Sequence, residues 1–267
     1  MSDPHVVAAL TDPGTVVVVT NLEDGSVMVL DGGWPTDIPP GHQPILAGEG
    51  VVAVLADKAL ARQLGGFGEA RAALLGRIDG QGLLAAVAFG QWRARTRFCP
   101  RCGGALAPAA GGRVLRCDTG HQVFPRLEPA VIMRVVDARD RILLARQQRW
   151  GAGRFSVLAG FVEPGESLEE TVRREVAEEV GVPIDGIAYV SSQPWPFPSS
   201  LMLAFSATAR ETALTLQADE IAEAAWFSRA DLTAAMQSGS VALPPPLSVA
   251  HRLISEWMGG PLRTWSP

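Results

Sequence analysis

The sequence predicts an α/β protein whose C-terminal half forms an α/β/α sandwich, with helices on both sides of a mixed β-sheet. Three observations support this class. Six short apolar runs between residues 130 and 227 are rich in β-branched residues and predict strands. An amphipathic helix is predicted after the third run, and two more helical patterns lie near the C-terminus. Before residue 60, Val-rich runs separated by glycine and proline predict a distinct β-rich region.

The individual elements follow from the spacing of apolar residues along the chain. Strands are predicted at 16–20, 26–30, 51–55, 130–136, 142–146, 155–159, 187–191, 201–207 and 223–227. Helices are predicted at about 68–75, 82–95, 168–180, 229–237 and 249–258. These elements divide the chain into a β-rich domain at 1–96, a small cysteine-containing domain at 97–125 and a larger domain at 126–267.

The most informative segment runs from Gly160 to Val182 and reads GFVEPGESLEETVRREVAEEVGV. It places four glutamates, Glu166, Glu175, Glu178 and Glu179, at fixed spacing. Glu175 and Glu179 are four residues apart, so they share one face of a helix. Clustered carboxylates repel each other unless a cation lies among them, and Mg²⁺ or Mn²⁺ is the natural occupant. The segment predicts a divalent-metal site, and a solvated acidic helix face is the alternative.

The opposite face of this helix is apolar at every fourth position, which predicts that it packs on a core. The four positions are Leu168, Val172, Val176 and Val180. Ser167 and Glu170 predict a capping box at the start of the helix. Gly181 predicts its end.

The segment resembles the Nudix box, and every fixed position of that family pattern is filled. The resemblance implies a hydrolase that cleaves the diphosphate bond of a nucleoside diphosphate linked to another group. The implied ligands of Mg²⁺ or Mn²⁺ are the Ala159 carbonyl and the side chains of Glu166, Glu175, Glu178, Glu179 and Glu220. Glu220 precedes the last predicted strand, and Glu223, the first residue of that strand, is the alternative.

The same resemblance implies roles in catalysis for Glu175, Glu178, Glu179 and Arg174. A glutamate of the Glu178–Glu179 pair is expected to act as general base, and Glu179 is preferred. Arg174 is expected to pair with the glutamates and to fix the helix to its loop. An ordinary surface salt bridge, which contributes little to stability, is the alternative for Arg174.

A second signal lies at residues 192–200, which read SQPWPFPSS. Three prolines alternate with Trp195 and Phe197, which predicts a stiff extended segment whose rings suit stacking on bases. The string resembles the SQPWPFP signature of NADH pyrophosphatases, which cleave NAD(H) to AMP and nicotinamide mononucleotide; some members also remove NAD caps from RNA 5′ ends. The implied substrate contacts are Phe124, Phe161, Gln193, Pro194, Trp195, Pro196, Phe197, Pro198, Ser199, Ser200, Ala250 and Arg71. Packing in a local core is the alternative for the aromatic residues.

A third signal is a CxxC at Cys99 and Cys102, followed by a CxxxH at Cys117 and His121. This arrangement fits a closed tetrahedral zinc site of structural type. The resemblance also implies a zinc ribbon here, but with four cysteines as a rule. Gly120 stands where the fourth cysteine would be expected, so the alternatives are a Cys3His site and a ribbon without full metal occupancy.

Composition restricts the class of protein. The net charge is −5 and the pI is about 5.4, which excludes a general basic surface for nucleic acid. Any RNA would be held locally, for example by the arginines near the ribbon: Arg93, Arg95, Arg97 and Arg101. The metal-like spacing of all three cysteines fits a reducing compartment. We see neither a signal-peptide pattern nor an apolar stretch of about 20 residues, so a cytoplasmic protein is expected.

The sequence is consistent with three functions. The first is an NADH pyrophosphatase that also acts on NAD-capped RNA, and the resemblance implies that it is a homodimer. The second is a Nudix hydrolase of ADP-ribose or another dinucleotide. The third is a nucleotide sensor without catalysis, which the four intact glutamates disfavour.

Overall fold

The computed structural model describes residues 12, 15–21, 23, 26–31, 44–48, 51–64 and 81–260. The chain divides into two compact units. The first comprises residues 1–127 with 195–200, and the second comprises 128–194 with 201–267. The predicted helix at 68–75 and the predicted substrate contact Arg71 lie outside the described residues. The domain boundaries at residues 96 and 125 stay a prediction.

The first unit contains a four-stranded mixed sheet built from Val-rich sequence. Its strands are β1 (Val16–Asn21), β2 (Val27–Asp31), β3 (Ile45–Gly48) and β4 (Val51–Ala56), in the order β2-β1-β4-β3. Strands β1 and β4 pair in parallel, whereas β2 and β3 flank them antiparallel. Helices α1 (Lys58–Leu64) and α2 (Gln81–Arg95) follow. Because both faces of β4 are buried, its sequence is apolar throughout instead of alternating.

A second sheet of the first unit carries Cys117 and directly follows the segment with Cys99 and Cys102. It consists of β5 (Leu106–Ala109), β6 (Val114–Cys117) and β7 (Gln122–Val123), all antiparallel. A 3-10 turn at Ala110–Gly112 joins β5 to β6. Gly111 and Gly112 both have positive φ there, which explains why two glycines occupy this turn.

The second unit is organised around a six-stranded sheet. Its strands are β8 (Glu128–Val136), β9 (Ile142–Gln147), β10 (Leu158–Phe161), β11 (Ile184–Trp195), β12 (Ser200–Ala209) and β13 (Ile221–Phe227). Five of them lie in the order β11-β12-β8-β9-β13, and β10 pairs antiparallel with β8. The helices are α3 (Leu168–Val180), α4 (Arg229–Gln237) and α5 (Val249–Met258).

Helices cover both faces of this sheet. On one face, Val131 and Leu143 pack with Val172 and Val176 of α3. On the other face, Ile132, Ile142 and Leu144 pack with Leu232 of α4 and Leu253 of α5. Neighbouring strand residues thus enter opposite cores, as the two-residue period of a strand requires. The predicted α/β/α sandwich is confirmed.

Local sequence signals set the ends of α3 as predicted. Ser167 and Glu170 form a complete capping box, and Gly181 ends the helix in the left-handed conformation. Val172, Val176 and Val180 are fully buried, which stabilises the fold by about 1.5 kcal/mol or more for each side chain. Among the described residues, no helix combines the length and the apolar composition that crossing a bilayer requires.

Two predicted elements differ from the structure. The strand predicted at 155–159 begins at Leu158, because Ser156 forms only an isolated bridge to Ala145. The segment predicted to be extended at 192–200 instead turns back on itself. Strand β11 continues to Trp195, residues 196–199 form a turn, and β12 starts at Ser200. Proline favours such turns as readily as it favours extended chain.

Candidate functional site

One arginine organises the acidic cluster on α3. Arg174 donates to both carboxylate oxygens of Glu166, at 2.6 and 2.9 Å. It also donates to Glu175 at 2.9 Å, to Glu178 at 3.0 Å and to the Phe161 carbonyl at 3.0 Å. A guanidinium has five N–H donors in a fixed plane, which suits such a set of acceptors. The predicted pairing of Arg174 with the glutamates and the preceding loop is confirmed.

Glu166 faces this arginine and its own loop. Thr171 donates its hydroxyl to Glu166 at 2.8 Å, and the Glu163 N–H donates to the same oxygen at 3.1 Å. The pKa of Glu166 is lowered to about 2, chiefly by the hydrogen bonds from Arg174. The hydrogen bond from Thr171 lowers it further. Glu166 is therefore an anchor between loop and helix. The fully buried Thr171 was missed by sequence reasoning, since a threonine inside a helix gives no signal of its partner.

Glu175 lies directly against the backbone of β10. A Cβ atom placed on Gly160 would come within 1.8 Å of the Glu175 carboxyl carbon. Gly160 therefore leaves room for a carboxylate that packs where a side chain would otherwise be. Burial raises the pKa of Glu175, whereas its hydrogen bond from Arg174 lowers it.

Glu179 is the most buried member of the cluster, with 1% of its surface exposed. Among the described residues, no donor reaches its Oε2 atom. Burial raises the pKa of Glu179 to about 8, and the charges of Glu175, Glu220 and Glu178 add to this effect. A buried carboxylate without a partner is costly. A divalent cation bound to these oxygens would remove that cost, so the donor set fits such an ion.

The two candidates for a further ligand differ in their surroundings. Glu223 accepts two hydrogen bonds from Arg146, at 2.6 and 3.0 Å, so its charge is already paired. Glu220 is exposed, and its charge raises the pKa of both Glu175 and Glu179. This electrostatic coupling favours Glu220 as the residue that belongs to the cluster. Ala159 precedes Gly160 on β10 and pairs with Ile132 of β8.

The predicted substrate contacts fall into exposed and packed groups. Phe161 and Phe124 are 56% and 61% exposed, so neither ring is taken up by a core. Trp195 and Phe197 contact each other edge to face, with ring centroids 5.2 Å apart. Phe197 also packs against the core that contains Val18 and Ile45 in the first unit. For Phe197, the structure therefore agrees with the alternative prediction, which is packing in a local core. Pro196 and Ser200 are buried, whereas Pro194 and Pro198 are exposed.

Gln193 uses its side chain on backbone groups of another segment. Its amide nitrogen donates to the Leu247 carbonyl at 2.6 Å, and its oxygen accepts from the Val249 N–H at 2.7 Å. This pair of bonds ties β11 to the start of α5, where Ser248 is the N-cap. Ala250 follows on α5, and its side chain is buried in the core. Sequence reasoning placed Gln193 at the substrate but missed this connection across 56 residues.

The four predicted zinc ligands converge on one point of the ribbon. The ligand atoms of Cys99, Cys102, Cys117 and His121 all lie within 4.8 Å of one another. The Cys102 and Cys117 sulfurs are 3.7 Å apart, and the Cys99 sulfur lies 3.6 Å from His121 Nδ1. A tetrahedron with Zn–S bonds of about 2.3 Å has edges of nearly this length. The cluster fits a structural zinc ion, with His121 in position to be the fourth ligand.

Thr119 completes this cluster as a residue that the sequence did not point to. Its hydroxyl lies 3.0 Å from the Cys117 sulfur, 3.4 Å from the Cys102 sulfur and 3.2 Å from His121 Nδ1. The Thr119 contact is the first cause that lowers the pKa of Cys102 to about 6, and the Gly104 N–H is the second. Both favour the thiolate, which is the form that binds metal.

A direct test of the fourth ligand is His121→Ala. We expect the wild-type chain to hold one zinc ion, and the variant to bind zinc at least 10- to 100-fold more weakly because one of four ligands is lost. Competition with a chromogenic chelator measures the affinity. Gln122→Ala, at the neighbouring exposed position, is the control. Equal zinc affinity of His121→Ala and Gln122→Ala would contradict a Cys3His site.

Comparison with known proteins agrees with these two sites. Residues 126–245 match the family model described as "NUDIX domain". Residues 94–124 match the model described as "NADH pyrophosphatase zinc ribbon domain". The resemblance inferred from the glutamate and cysteine spacing is therefore confirmed.

Curated relatives share substantial identity with part of the chain. A "NAD-capped RNA hydrolase NudC" from Mycobacterium bovis (strain BCG / Pasteur 1173P2) is 42% identical over 197 residues, which is 68% of this chain and 63% of that protein. A "NAD-capped RNA hydrolase NUDT12" from Macaca fascicularis is 40% identical over 180 residues, which is 62% of this chain and 39% of that protein. The chain thus spans less than two thirds of either relative.

Proposed function

Because the chain carries a Nudix domain preceded by an NADH pyrophosphatase zinc ribbon domain, we propose that it hydrolyses the pyrophosphate bond of NAD(H), releasing AMP and nicotinamide mononucleotide. The observation that carries this proposal is the acidic cluster of α3, in which the buried Glu179 oxygen has no partner among the described residues. The names of the relatives support a nicotinamide dinucleotide as substrate and extend the proposal to NAD caps at RNA 5′ ends.

The residues proposed to hold the catalytic cation are the Ala159 carbonyl, Glu175, Glu179 and Glu220, with Glu178 beside them. Mg²⁺ and Mn²⁺ suit this set because all the donors are oxygen atoms. When bound, such an ion would neutralise phosphate charge and make a nearby water more acidic.

The side chains of the acidic cluster would have different roles in the reaction. Glu179 is the proposed acceptor of the proton from the attacking water, because its buried carboxylate has an oxygen, Oε2, without a partner among the described residues. Glu178 is the alternative acceptor, although it is exposed and bonded to Arg174. Glu166 and Arg174 would act by positioning the other glutamates, since Arg174 contacts Glu175 and Glu178 directly.

Substrate recognition is proposed to use exposed aromatic rings. Phe161 lies one residue beyond Gly160, and its exposed face suits stacking on a base or on nicotinamide. Phe124 is proposed for the same kind of contact, the half-buried Trp195 for stacking through the part of its ring that is open, and Ser199 for a polar contact. Gln193 is proposed to act indirectly, because its amide holds the segment before α5 in place. Arg71 remains a proposal from resemblance alone.

A substrate panel tests the proposal. NADH, NAD⁺, ADP-ribose and a short NAD-capped RNA are compared at equal concentration with Mg²⁺ or Mn²⁺, and the products are identified by mass. We expect AMP and reduced nicotinamide mononucleotide from NADH, and nicotinamide mononucleotide and RNA with a 5′ monophosphate from the capped RNA. Faster turnover of ADP-ribose than of NADH would favour another Nudix specificity. Binding of nucleotide without any product would overturn the enzyme and favour a sensor.

We propose a cellular location and an oligomeric state for the chain. We place the chain in the cytoplasm, because its three cysteines converge on one metal site instead of pairing in disulfides. We also propose a homodimer, which follows from the family resemblance. Size-exclusion chromatography with light scattering tests the second proposal, and a monomer mass would overturn it.

A further inference from the structure

Arginine is concentrated in and around the ribbon. Residues 93–126 hold seven of the 23 Lys and Arg residues of the chain but only one of its 28 acidic residues, Asp118. All seven are arginine, in a protein whose net charge is −5. Separation of charge on this scale indicates a surface for a polyanion. Arginine also binds phosphate in a bidentate manner, which lysine does not.

These arginines differ in their burial. Arg93 is partly buried, and burial lowers its pKa to about 10, so it belongs to the interior. Arg95, Arg101 and Arg116 are exposed. In the part of the chain that the structure describes, no acidic side chain forms an ion pair with these three. Their charges are therefore available to a ligand.

Arg101 and Arg116 are held close to the same metal site. Arg101 adjoins Cys102 and Arg116 adjoins Cys117, and the two sulfurs are 3.7 Å apart. In the ribbon sheet, Arg116 lies opposite Ala107 on one side and Gln122 on the other, and all three are exposed. Arg116 thus stands on an open sheet face without a large neighbour in its own row.

Exposed aromatic rings accompany these charges. Phe98, next to Cys99, is 65% exposed, and Phe124, just after β7, is 61% exposed. An exposed ring beside a cationic group is the combination that binds single-stranded nucleic acid, since bases stack on the rings and phosphates pair with the cations. An acidic peptide would use the charges but would leave the rings without a partner.

We propose that the ribbon, through Arg101, Arg116 and Phe98, binds the nucleotides of single-stranded RNA that follow the cap. This inference rests on the proposed function, which supplies the RNA-linked substrate. The ribbon would then have a second role beside its structural one: it would distinguish a capped transcript from free NAD(H).

The binding test uses the whole zinc-loaded chain and a fluorescein-labelled, unstructured RNA of about 20 nucleotides. Arg101→Ala/Arg116→Ala is expected to weaken binding about tenfold or more. The slope of log K against log salt is expected to fall by about 1.4, because two phosphate contacts are lost. Phe98→Ala should weaken binding about fivefold or more without changing the slope, since it removes stacking but no charge.

Arg210→Ala/Arg252→Ala is the charge-matched control, because both arginines are exposed and lie in the second unit. Unchanged affinity and slope in Arg101→Ala/Arg116→Ala, or an equal loss in the control, would overturn the proposal. Turnover measurements distinguish RNA binding by the ribbon from the proposed hydrolysis of NAD(H). The ratio of kcat/KM for NAD-capped RNA to that for NADH should fall about tenfold in Arg101→Ala/Arg116→Ala. Absence of NADH turnover in the wild type would instead refute the proposed function.

Discussion

Replacement of Glu179 by glutamine is expected to abolish hydrolysis and, at the same time, to stabilise the metal-free protein. The activity should fall by about 10³-fold or more, because the substitution removes both a metal ligand and the proposed proton acceptor. The amide has nearly the same shape as the carboxyl group, so the packing around it is retained. Steady-state turnover of NADH with Mn²⁺ measures this loss.

The stability effect has a defined pH dependence. In the folded chain burial, followed by the charges of Glu175, Glu220 and Glu178, raises the pKa of Glu179 from 4.5 to about 8. Between these values the unfolded chain releases the proton and the folded chain retains it, so the wild type loses stability as pH rises from about 4.5 to 8. The glutamine variant lacks this loss. In the presence of a chelator at pH 8, we expect the glutamine variant to be more stable than the wild type by about 2–4 kcal/mol. This difference corresponds to an increase in Tm on the order of 5–10 °C.

Glu169→Gln is the matched control, because Glu169 is an exposed glutamate on the same helix. It should leave activity and the pH profile of Tm close to those of the wild type. Thermal unfolding of the three proteins at pH 5 and pH 8, each with EDTA, makes the comparison. Parallel pH profiles for wild type and Glu179→Gln would show that Glu179 is not a buried, uncompensated acid.

Gly160→Ala is expected to lower kcat/KM by about 100-fold although it adds a single methyl group. The added Cβ would overlap the Glu175 carboxyl group, at 1.8 to 2.2 Å. The Glu175 side chain can move, but only by leaving the hydrogen bond from Arg174 and its place in the cluster. A misplaced ligand of about 1 Å is sufficient for a loss of this size. Because a flexible side chain gives way, Tm should fall by only a few degrees.

Gly151→Ala provides the matched control, since no atom lies within 4 Å of a Cβ at that glycine. The half-saturating Mn²⁺ concentration should rise in Gly160→Ala and stay unchanged in Gly151→Ala. The double variant Gly160→Ala/Glu175→Ala should be no less stable than Glu175→Ala alone, because the clash is absent. Full activity in Gly160→Ala would show that Glu175 does not need its position against β10.

The sequence predicted those features that depend on neighbouring residues. The limits of α3, its capping box and its buried valines follow from local periodicity, and the four zinc ligands follow from short spacings. It could not predict contacts between distant segments. The bonds from Gln193 to Leu247 and Val249 depend on where β11 and α5 meet. The approach of Glu175 to Gly160 likewise depends on the distance between a helix and a strand. The turn at 196–199 was missed because proline permits both conformations.

The hydrogen bonds of Arg174 limit the sequence changes that this site can tolerate. Glu166 accepts hydrogen bonds from both Thr171 and Arg174, so replacing Glu166 removes one acceptor from each of them. An insertion of one residue between Glu166 and Arg174 would turn the helix by about 100° and point the arginine away from its loop. The contact between the loop that carries Glu166 and the helix that carries Arg174 therefore depends on a fixed number of residues between them.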